Sequence, residues 1–352
     1  MIGFDSKGQE ALPAGAPLEM VFVVGNSRSG TTLMSRILGG HPSIFTFHEL
    51  HFFEELWDPG QRAPSLNFAQ ANNLFARLLA IQRQGYFQRA NHSGYLPEAR
   101  AACETGETSF RGIEVFQRFL QYEAAKHGCS IACDHTPRNV YYIEDILESF
   151  PGAFIVHMVR DPRDVLLSQK NKWRRRSLGG GNIPRREAIR SWVNYHPITI
   201  SLLWRSGLLA GSHWEGHPRV ITIQFEHLLA SPDDQIHALC EGIGIEFQTE
   251  MLAVPQIGSS LGQDRPSQIG INHDVVQRWR QGGLQPVEIL LSQRINQGIM
   301  GAFGYTPEPV SASILAVVWL TITWFFKAGL ALIFNIRRVR NPLRAWRRRF
   351  GS

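Results

Sequence analysis

Residues 21–32 read VFVVGNSRSGTT, an apolar run that ends in glycine and continues into a short polar loop. An apolar run of this length is typical of a strand that is buried on both faces of a parallel sheet. Residues 30–39 continue as a predicted helix. Backbone N–H groups of a tight loop and of a helix N-terminus converge on one point, so this unit is expected to bind an anion such as phosphate.

The loop has the GxxxxG spacing of a P-loop, with Gly25 and Gly30 as its glycines. Thr31 stands where a P-loop NTPase needs a lysine to reach the terminal phosphates. The cation is therefore expected from Arg28, inside the loop. The alternative is an ordinary glycine turn with an exposed arginine. The candidate nucleotide-binding residues are those of the loop and the start of the helix: Asn26, Ser27, Arg28, Ser29, Gly30, Thr31 and Thr32.

Strand and helix patterns alternate along the rest of the chain. This alternation predicts an α/β protein with a three-layer, P-loop-like fold, in which helices flank a central parallel sheet. Further strands are predicted at 43–47, 131–134, 154–159 and 219–223. Helices are predicted at 66–88, 139–149, 162–173, 185–210 and 233–242, with a glycine loop at 179–181.

Composition excludes several classes of protein. The 352 residues are 43% hydrophobic and 19% charged, which describes a folded globular chain rather than a disordered one. The net charge of +6 arises from the C-terminus, since residues 337–352 contain seven arginines and no acid. The remaining chain is nearly neutral, so no nucleic-acid partner is expected. Four cysteines are too few for a disulfide framework, and their spacing predicts no metal site.

Residues 314–334 form an apolar stretch of 21 residues with a single charge, Lys327. At about 1.5 Å per residue it is long enough to cross a hydrocarbon layer of roughly 30 Å. A spanning helix would place the arginines on the side of the membrane opposite the body, against the positive-inside tendency. A monotopic helix or shallow hairpin would keep both on one leaflet. The other alternative is a buried core helix.

These observations predict association with the cytoplasmic face of a membrane and leave its mode open. They also divide the chain into a flexible N-terminus at 1–19, a catalytic domain at 20–306 and a membrane-associating segment at 310–352.

Two motifs resemble those of a known enzyme family. GNSRSGTTLMSRILGGHPSI, at 25–44, resembles the 5′-phosphosulfate loop of sulfotransferases that use 3′-phosphoadenosine 5′-phosphosulfate (PAPS). FIVHMVRDPRDVLLSQK, at 154–170, is similar to the family's 3′-phosphate-binding strand and helix, in which an arginine and a serine eight residues later hold the phosphate. The resemblance gives these roles to Arg160 and Ser168.

The resemblance extends from about residue 20 to residue 305. ITIQFEHLLASPDDQIHALCEGIGIEF, at 221–247, is similar to the strand and helix that follow in bacterial members. VVQRWRQGGL, at 275–284, is similar to a late element beside a loop that closes over the nucleotide, which makes Arg278 a candidate nucleotide ligand. The alternative is that Trp279 is a core residue and Arg278 is simply exposed.

The resemblance implies transfer of a sulfuryl group from PAPS to a hydroxyl acceptor, without a metal. In the protein-tyrosine branch the base is a glutamate seven residues beyond a His-Pro pair, a position held here by Glu49 after His41 and Pro42. His48 is the second candidate, and a solvated loop carboxylate is the alternative for Glu49.

His135 stands where many relatives carry a lysine that stabilises the leaving group. To replace that lysine it must be protonated, although an unperturbed imidazole titrates near about 6.5. We therefore expect turnover to fall as pH rises through neutrality. The alternative is that Arg28 alone suffices and that His135 is a structural residue.

The acceptor is predicted to be a hydroxyl-bearing lipid, glycolipid or other small molecule. Segment 50–128 and the loop after Arg176 are expected to shape its pocket, and Lys170–Arg176 is either an acidic-ligand site or a solvated helix end. Two other functions stay open: a catalytically silent nucleotide-binding membrane protein and a P-loop kinase. The aromatic residues that could line the pocket or belong to the core are His51, Phe52, Phe53 and Trp57.

Overall fold

A five-stranded parallel sheet forms the centre of the computed structural model, which describes residues 18–57, 65–88, 91–104, 106–179, 183–335 and 341–350. The predicted flexible N-terminus lies outside the described residues except for its last two. The strand order is β2-β3-β1-β4-β5. The strands are β1 (Met20–Gly25), β2 (Ile44–Thr46), β3 (Ile131–Asp134), β4 (Ala153–Val159) and β5 (Val220–Gln224).

Helices cover both faces of this sheet, as the strand and helix alternation predicts. The helices of the first half are α1 (Thr31–Leu38), α2 (Phe68–Gln84), α3 (Leu96–Cys103), α4 (Gly112–Lys126), α5 (Ile143–Ser149) and α6 (Pro162–Lys170). Those of the second half are α7 (Arg185–Asn194), α8 (Pro197–Ser212), α9 (Phe225–Ala230), α10 (Pro232–Ile243), α11 (Pro286–Met300), α12 (Ile314–Asn335) and α13 (Pro342–Phe350).

Strand β1 is buried on both faces, because its side chains alternate between two hydrophobic cores. Phe22 and Val24 pack into the core that contains α2 and α4, whereas Val21 and Val23 pack into the core formed with α1 and α10. The predicted central parallel sheet flanked by helices is therefore confirmed.

The prediction of one continuous helix at 185–210 is wrong. The segment is two helices, α7 and α8, separated by Tyr195 and His196. Pro197 explains the break, because the residue before a proline is disfavoured in the helical region. His196 accordingly has an extended backbone, and Pro197 occupies the first turn of α8.

A short antiparallel pair, β6 (Pro255–Gln256) and β7 (Arg265–Ile269), was not predicted. Its connection, residues 257–264, is called the 257–264 loop below. This loop is held against the body because Asp264 forms an ion pair with Arg175 and accepts a hydrogen bond from Gly258 N at 2.8 Å.

Helix α12 is the apolar segment at the C-terminus, and none of its residues is buried. The alternative of a buried core helix is therefore wrong. It is the one helix in the described residues that is long and apolar enough to cross a membrane. Arg337, Arg338 and Arg340 lie outside the described residues, and the other four arginines of the tail lie in α13.

Candidate active site

The predicted site residues follow four neighbouring strands at the carboxyl edge of the sheet. Glu49 comes after β2, His135 after β3, the 26–30 loop after β1 and Arg160 after β4. After β1 the chain forms β2 and β3 on one side of that strand, and later β4 and β5 on the other side. The direction in which strands are added therefore reverses between β1 and β4. Ligands of open α/β sheets bind outside the strand ends at such a point.

Two glycines allow the loop after β1 to take its shape. Gly25 and Gly30 have φ of +143° and +99°. A Cβ on Gly25 would overlap the Met158 carbonyl oxygen, and one on Gly30 would overlap the ring of Phe225. The sequence spacing of these glycines therefore reflects close packing of the loop against β4 and α9.

The loop ends at the N-terminus of α1. Met34 N donates to the Gly30 carbonyl at 3.0 Å, so the N–H groups of residues 31–33 precede the first intrahelical donor. The Ser29 hydroxyl is buried and has no hydrogen-bond partner among the described residues. Unpaired donors and a buried hydroxyl at a helix N-terminus fit an anion such as a phosphosulfate.

The two motifs of the sequence meet at Arg28. Its Nε donates to Ser168 Oγ at 2.9 Å, and its Nη2 donates to Gly258 O at 3.0 Å and to Ser260 Oγ at 2.7 Å. Arg160 Nη1 donates to the Arg28 carbonyl at 3.2 Å. The loop after β1 and the junction after β4 therefore form one surface.

The charge of Arg28 has no carboxylate partner in the part of the chain that the structure describes. Burial, reinforced by the like charge of Arg160, lowers the pKa of Arg28 to about 10. A guanidinium with that pKa is still charged at neutral pH. A partly buried cation without a counter-ion is a place where an anionic ligand is favoured.

Arg160 is buried and is held from several sides. Its Nη2 donates to Val275 O at 2.9 Å and lies 3.8 Å from an Asp164 carboxylate oxygen, and its guanidinium lies 4.3 Å from the centre of the Phe225 ring. Its Nε is buried and has no hydrogen-bond partner among the described residues. One donor of Arg160 is therefore open to a further acceptor.

Glu49 is positioned through the end of β3. Thr136 Oγ1 accepts hydrogen bonds from Leu50 N at 3.0 Å and from His51 N at 3.4 Å, and it donates to Asp134 Oδ1 at 2.7 Å. The buried Asp134 thus fixes Thr136, and Thr136 fixes the turn that carries Glu49. His51 has a positive φ of 51°, a conformation uncommon for a residue other than glycine.

The carboxylate of Glu49 lies among basic groups. His51 Nε2 is 3.4 Å from its Oε2. Burial acts to raise the pKa of Glu49, but the hydrogen bond and charge of His51, together with the charges of His135 and Lys172, lower it to about 2. Glu49 is therefore ionised across the neutral range, as a general base must be, but a pKa this low makes it a weak proton acceptor.

His135 is buried, and its Nδ1 has no hydrogen-bond partner among the described residues. Burial lowers the pKa of His135 below its ordinary value, although the negative charge of Glu49 opposes this. The neutral imidazole is thus favoured, which works against the predicted role of His135 as a cation. A bound dianion would act in the opposite direction.

Lys172 is a site residue that the sequence reasoning did not single out, although it lies in the basic run Lys170–Arg176. Burial and the charge of Arg28 lower the pKa of Lys172 to about 8, and Glu49 acts on it in the opposite direction. Its ammonium has no hydrogen-bond or ion-pair partner in the described ranges. Lys172 therefore adds a cation that interacts electrostatically with both Arg28 and Glu49.

The 257–264 loop is a second feature that the sequence did not reveal. It supplies Gly258 and Ser260 to Arg28, and Ser168 Oγ lies 3.4 Å from Ser260 Oγ. Arg36, from α1, donates to the Ile257 carbonyl at 2.8 Å. The loop therefore covers the place where the two motifs meet.

Arg278 lies in a different environment from Arg28. Its Nε donates to the Asp274 carbonyl of its own turn at 2.9 Å. Trp279 is buried, and its backbone N donates to Asp164 Oδ1 at 3.0 Å. This arrangement agrees with Trp279 as a core residue, and the nucleotide-binding role of Arg278 stays a prediction.

The aromatic residues considered for the acceptor pocket divide into two groups. Phe52 and Phe53 are fully buried, and the Phe52 ring stacks on that of Phe116 at 4.0 Å between centroids. They are core residues because β2 leads directly into the core that contains α4. His51 instead lies beside Glu49.

No cluster of three or more histidine, cysteine, aspartate or glutamate side chains that could hold a metal ion occurs within the residues that the structure describes. The cationic groups of the site are protein side chains, chiefly Arg28, Arg160 and Lys172.

Comparisons with known proteins identify the family of this chain. The family model described as "Sulfotransferase family" matches residues 20–249. A Caenorhabditis briggsae protein named "Putative protein-tyrosine sulfotransferase" is 21% identical over 238 residues, which cover 66% of this chain and 68% of that protein.

Solved structures of sulfotransferases are also similar to this chain, at low sequence identity. The sulfotransferase domain of the Synechococcus PCC 7002 olefin synthase is 19% identical, with a TM-score of 0.47, over 86% of this chain and 100% of that domain. A Mycobacterium avium sulfotransferase is 18% identical, with a TM-score of 0.41, over 84% of this chain and 79% of that one. Because the family model covers well over half of the chain, this protein belongs to the sulfotransferase family and is a sulfotransferase.

Proposed function

We propose that the enzyme transfers the sulfuryl group of PAPS to a hydroxyl acceptor, with Glu49 as the general base. The observation that carries this proposal is the hydrogen bond between Arg28 and Ser168, which joins the two predicted phosphate-binding motifs in one site. The donor carries a phosphosulfate at the 5′ position of its ribose and a phosphate at the 3′ position. It therefore needs two anion-binding sites that a single nucleotide can reach.

The donor's 5′-phosphosulfate is assigned to the loop residues Asn26, Ser27, Arg28, Ser29 and Gly30, with Thr31 and Thr32 at the start of α1. Its 3′-phosphate is assigned to Arg160 and Ser168. The buried Ser29 hydroxyl and the buried Nε of Arg160, both without protein partners in the described ranges, support this assignment.

The transfer forms a bond between the acceptor oxygen and sulfur and breaks the bond from sulfur to the bridging oxygen of the donor. The acceptor proton passes to Glu49, and the electron pair of the broken bond stays on the 5′-phosphate of the leaving nucleotide. Positive charge near that phosphate favours the step. Arg28 and Lys172 supply it, and His135 adds to it when the bound donor holds its imidazole protonated.

We assign the acceptor as a lipid or glycolipid hydroxyl. The support for this assignment is α12, an exposed apolar helix suited to contact with a membrane. Arg190, whose charge acts on Lys172, donates to Asn335 Oδ1 of α12 at 2.9 Å. Helix α7, which carries Arg190, packs against both α12 and the 172–177 turn that holds Lys172, so one helix separates that turn from the apolar helix. A tyrosine hydroxyl is the second candidate, because the Caenorhabditis briggsae relative is named for that acceptor.

The test is incubation of the full chain with PAPS that carries a radiolabelled sulfuryl group. The acceptors are total cell lipid, soluble metabolites and a tyrosine-containing peptide, each with and without a metal chelator. We expect labelled lipid whether or not the chelator is present. Arg28→Ala should abolish the label, and Glu49→Ala should lower the rate about 10²–10⁴-fold, as for loss of a general base.

Glu148→Ala is the matched control, since Glu148 is an exposed carboxylate on α5. It should leave the rate unchanged. Binding of the donor without transfer to any acceptor would indicate a silent nucleotide-binding protein. Transfer of phosphate from ATP that requires magnesium would indicate a kinase, and either result would overturn the proposal.

A further inference from the structure

Helix α12 is fastened to the catalytic body along one side. Its half-buried residues recur every three or four positions, so they form one stripe that faces α7 and α8. The members of this stripe are Ala316, Val317, Leu320, Thr323, Trp324, Lys327, Ala328, Leu330, Ala331 and Asn335.

Polar side chains on this stripe make specific bonds to the body. Lys327 Nζ donates to the carbonyls of Trp192 and Tyr195, both at 3.2 Å, and lies 4.1 Å from the centre of the Trp192 ring. Asn335 Nδ2 donates to Asn194 Oδ1 at 2.8 Å. The single charge in the apolar segment thus points away from the apolar face.

Near the middle of α12, two more contacts reach α8 and the residue that precedes it. Trp324 Nε1 donates to Thr199 Oγ1 at 3.0 Å, and Thr323 Oγ1 lies 3.5 Å from His196 Nε2. The contacts from Thr323 to Asn335 extend over about 18 Å of helix at 1.5 Å per residue. A helix held over this length lies flat on the body.

The opposite side of α12 is apolar and open to solvent. Its large side chains are 61–80% exposed, and α7 adds Ile189 and Trp192 at the same surface, each 55% exposed. A monomeric soluble protein rarely exposes a contiguous apolar patch of this kind. We call it the α12 outer face, and its large members are Ile314, Leu315, Trp319, Ile322, Phe325, Phe326, Leu332 and Ile333.

Helix α13 combines apolar and basic side chains. Its inner side is docked through the buried Ala345 and through Arg348, which donates to Asp145 Oδ2 at 2.6 Å. Leu343 and Trp346 are exposed on the outer side, as is Arg347. Helix α13 contains no acidic residue, but Asp145 and Glu144 of α5 lie close to Arg348, so the positive charge free to face outward is that of Arg347.

We infer that the protein binds one leaflet of an anionic membrane, with α12 in the plane of the interface and not across the bilayer. The α12 outer face enters the apolar boundary, and the exposed Arg347 of α13 contacts the headgroups. The inference rests on the proposed membrane association and specifies its geometry. A spanning helix would break the bonds of Thr323, Trp324 and Asn335 and place Lys327 in hydrocarbon.

Vesicle binding tests the surface without any need for turnover, so its failure is distinct from failure of sulfuryl transfer. The full chain is mixed with vesicles of phosphatidylcholine alone or of phosphatidylcholine with phosphatidylglycerol, and bound protein is measured by flotation. We expect binding that is stronger to the anionic vesicles and weakened by salt. The double variant Trp319→Ser and Phe325→Ser should lower the bound fraction about tenfold or more.

Ile269→Ser is the matched control, because Ile269 is an exposed apolar residue on β7, outside the α12 outer face. It should bind like the unmodified chain. Equal binding by the double variant would overturn the inference. So would a dimer in solution that this variant converts to monomers, since a second copy would then be what covers the face.

Topology is tested with single cysteines on both sides of α12, in a chain that also carries Cys129→Ser to remove the cysteine that is not fully buried. Ser311→Cys and Phe350→Cys are each labelled with a membrane-impermeant maleimide on intact vesicles. In-plane binding predicts that both react at once. Protection of one position until the vesicles are lysed would indicate a spanning helix and overturn the inference.

Discussion

Arg28 has a backbone φ of 79°, and its side chain joins Ser168 to the 257–264 loop. The resemblance assigns Arg28 to the 5′-phosphosulfate, yet its guanidinium lies next to the serine assigned to the 3′-phosphate. A planar guanidinium with several donors can contact acceptors on more than one side. One arginine therefore connects the two proposed anion sites.

The charges of His135 and Lys172 give the reaction a dependence on pH. Lys172 has a pKa of about 8, so its positive charge is present below that pH and lost as the pH rises through it. We expect kcat to fall at some pH above about 8, because the charge of the bound donor raises this pKa further. Lys172→Arg should move the fall to higher pH, because a guanidinium stays charged. Initial rates at saturating donor across the pH range are the measurement.

A separate fall near neutrality would report on His135. Burial lowers the pKa of its imidazole, so a fall in this region requires that the bound donor raises it. His135→Lys should flatten that fall and leave the one above pH 8 in place. Profiles that neither substitution alters would show that Arg28 alone provides the charge.

The turn after β1 is the element on which the site depends most. Gly25→Ala would force a side chain against the Met158 carbonyl at a positive φ. We expect a loss of roughly 2–4 kcal/mol in the free energy of unfolding, together with loss of nucleotide binding. Chemical denaturation and binding of the desulfated nucleotide measure the two effects.

Gly298→Ala is the comparison for that substitution. Gly298 lies on α11, where an added Cβ meets nothing within 4 Å. Alanine there should stabilise the protein by up to about 1 kcal/mol. A Gly25→Ala protein as stable as this control would contradict the assignment of tight packing to the turn.

The sequence predicts the elements that depend on neighbouring residues. It does not predict the elements whose position depends on contacts with distant parts of the chain. Strand β1 and helix α1 follow from the apolar run and from Gly25 and Gly30. The 257–264 loop has no local pattern, because its role comes from contacts with Arg28 and Ser168, which are far away in the chain. Phe52 and Phe53 were ambiguous for a related reason, since a buried aromatic residue and a pocket aromatic residue look alike in sequence.

At the scale of the whole molecule, the position of α12, one helix away from the turn that holds Lys172, predicts how turnover depends on the physical state of the acceptor. A lipid hydroxyl presented in anionic vesicles should be sulfated faster than the same lipid in detergent micelles. Trp319→Ser with Phe325→Ser should lower kcat/KM on vesicles about tenfold and leave the detergent rate unchanged. Equal rates in both media for both proteins would show that membrane contact does not affect access of the acceptor.

The contact between Arg190 and Asn335 joins α12 to α7, and α7 in turn packs against the turn that holds Lys172. If the α12 outer face holds the enzyme flat on one leaflet, the opening of the active site stays at a constant distance from the lipids. Substrates then reach it by lateral diffusion in two dimensions, and their effective concentration is set by surface density. Dilution of the acceptor within the leaflet, rather than in the bulk volume, is what would slow the enzyme.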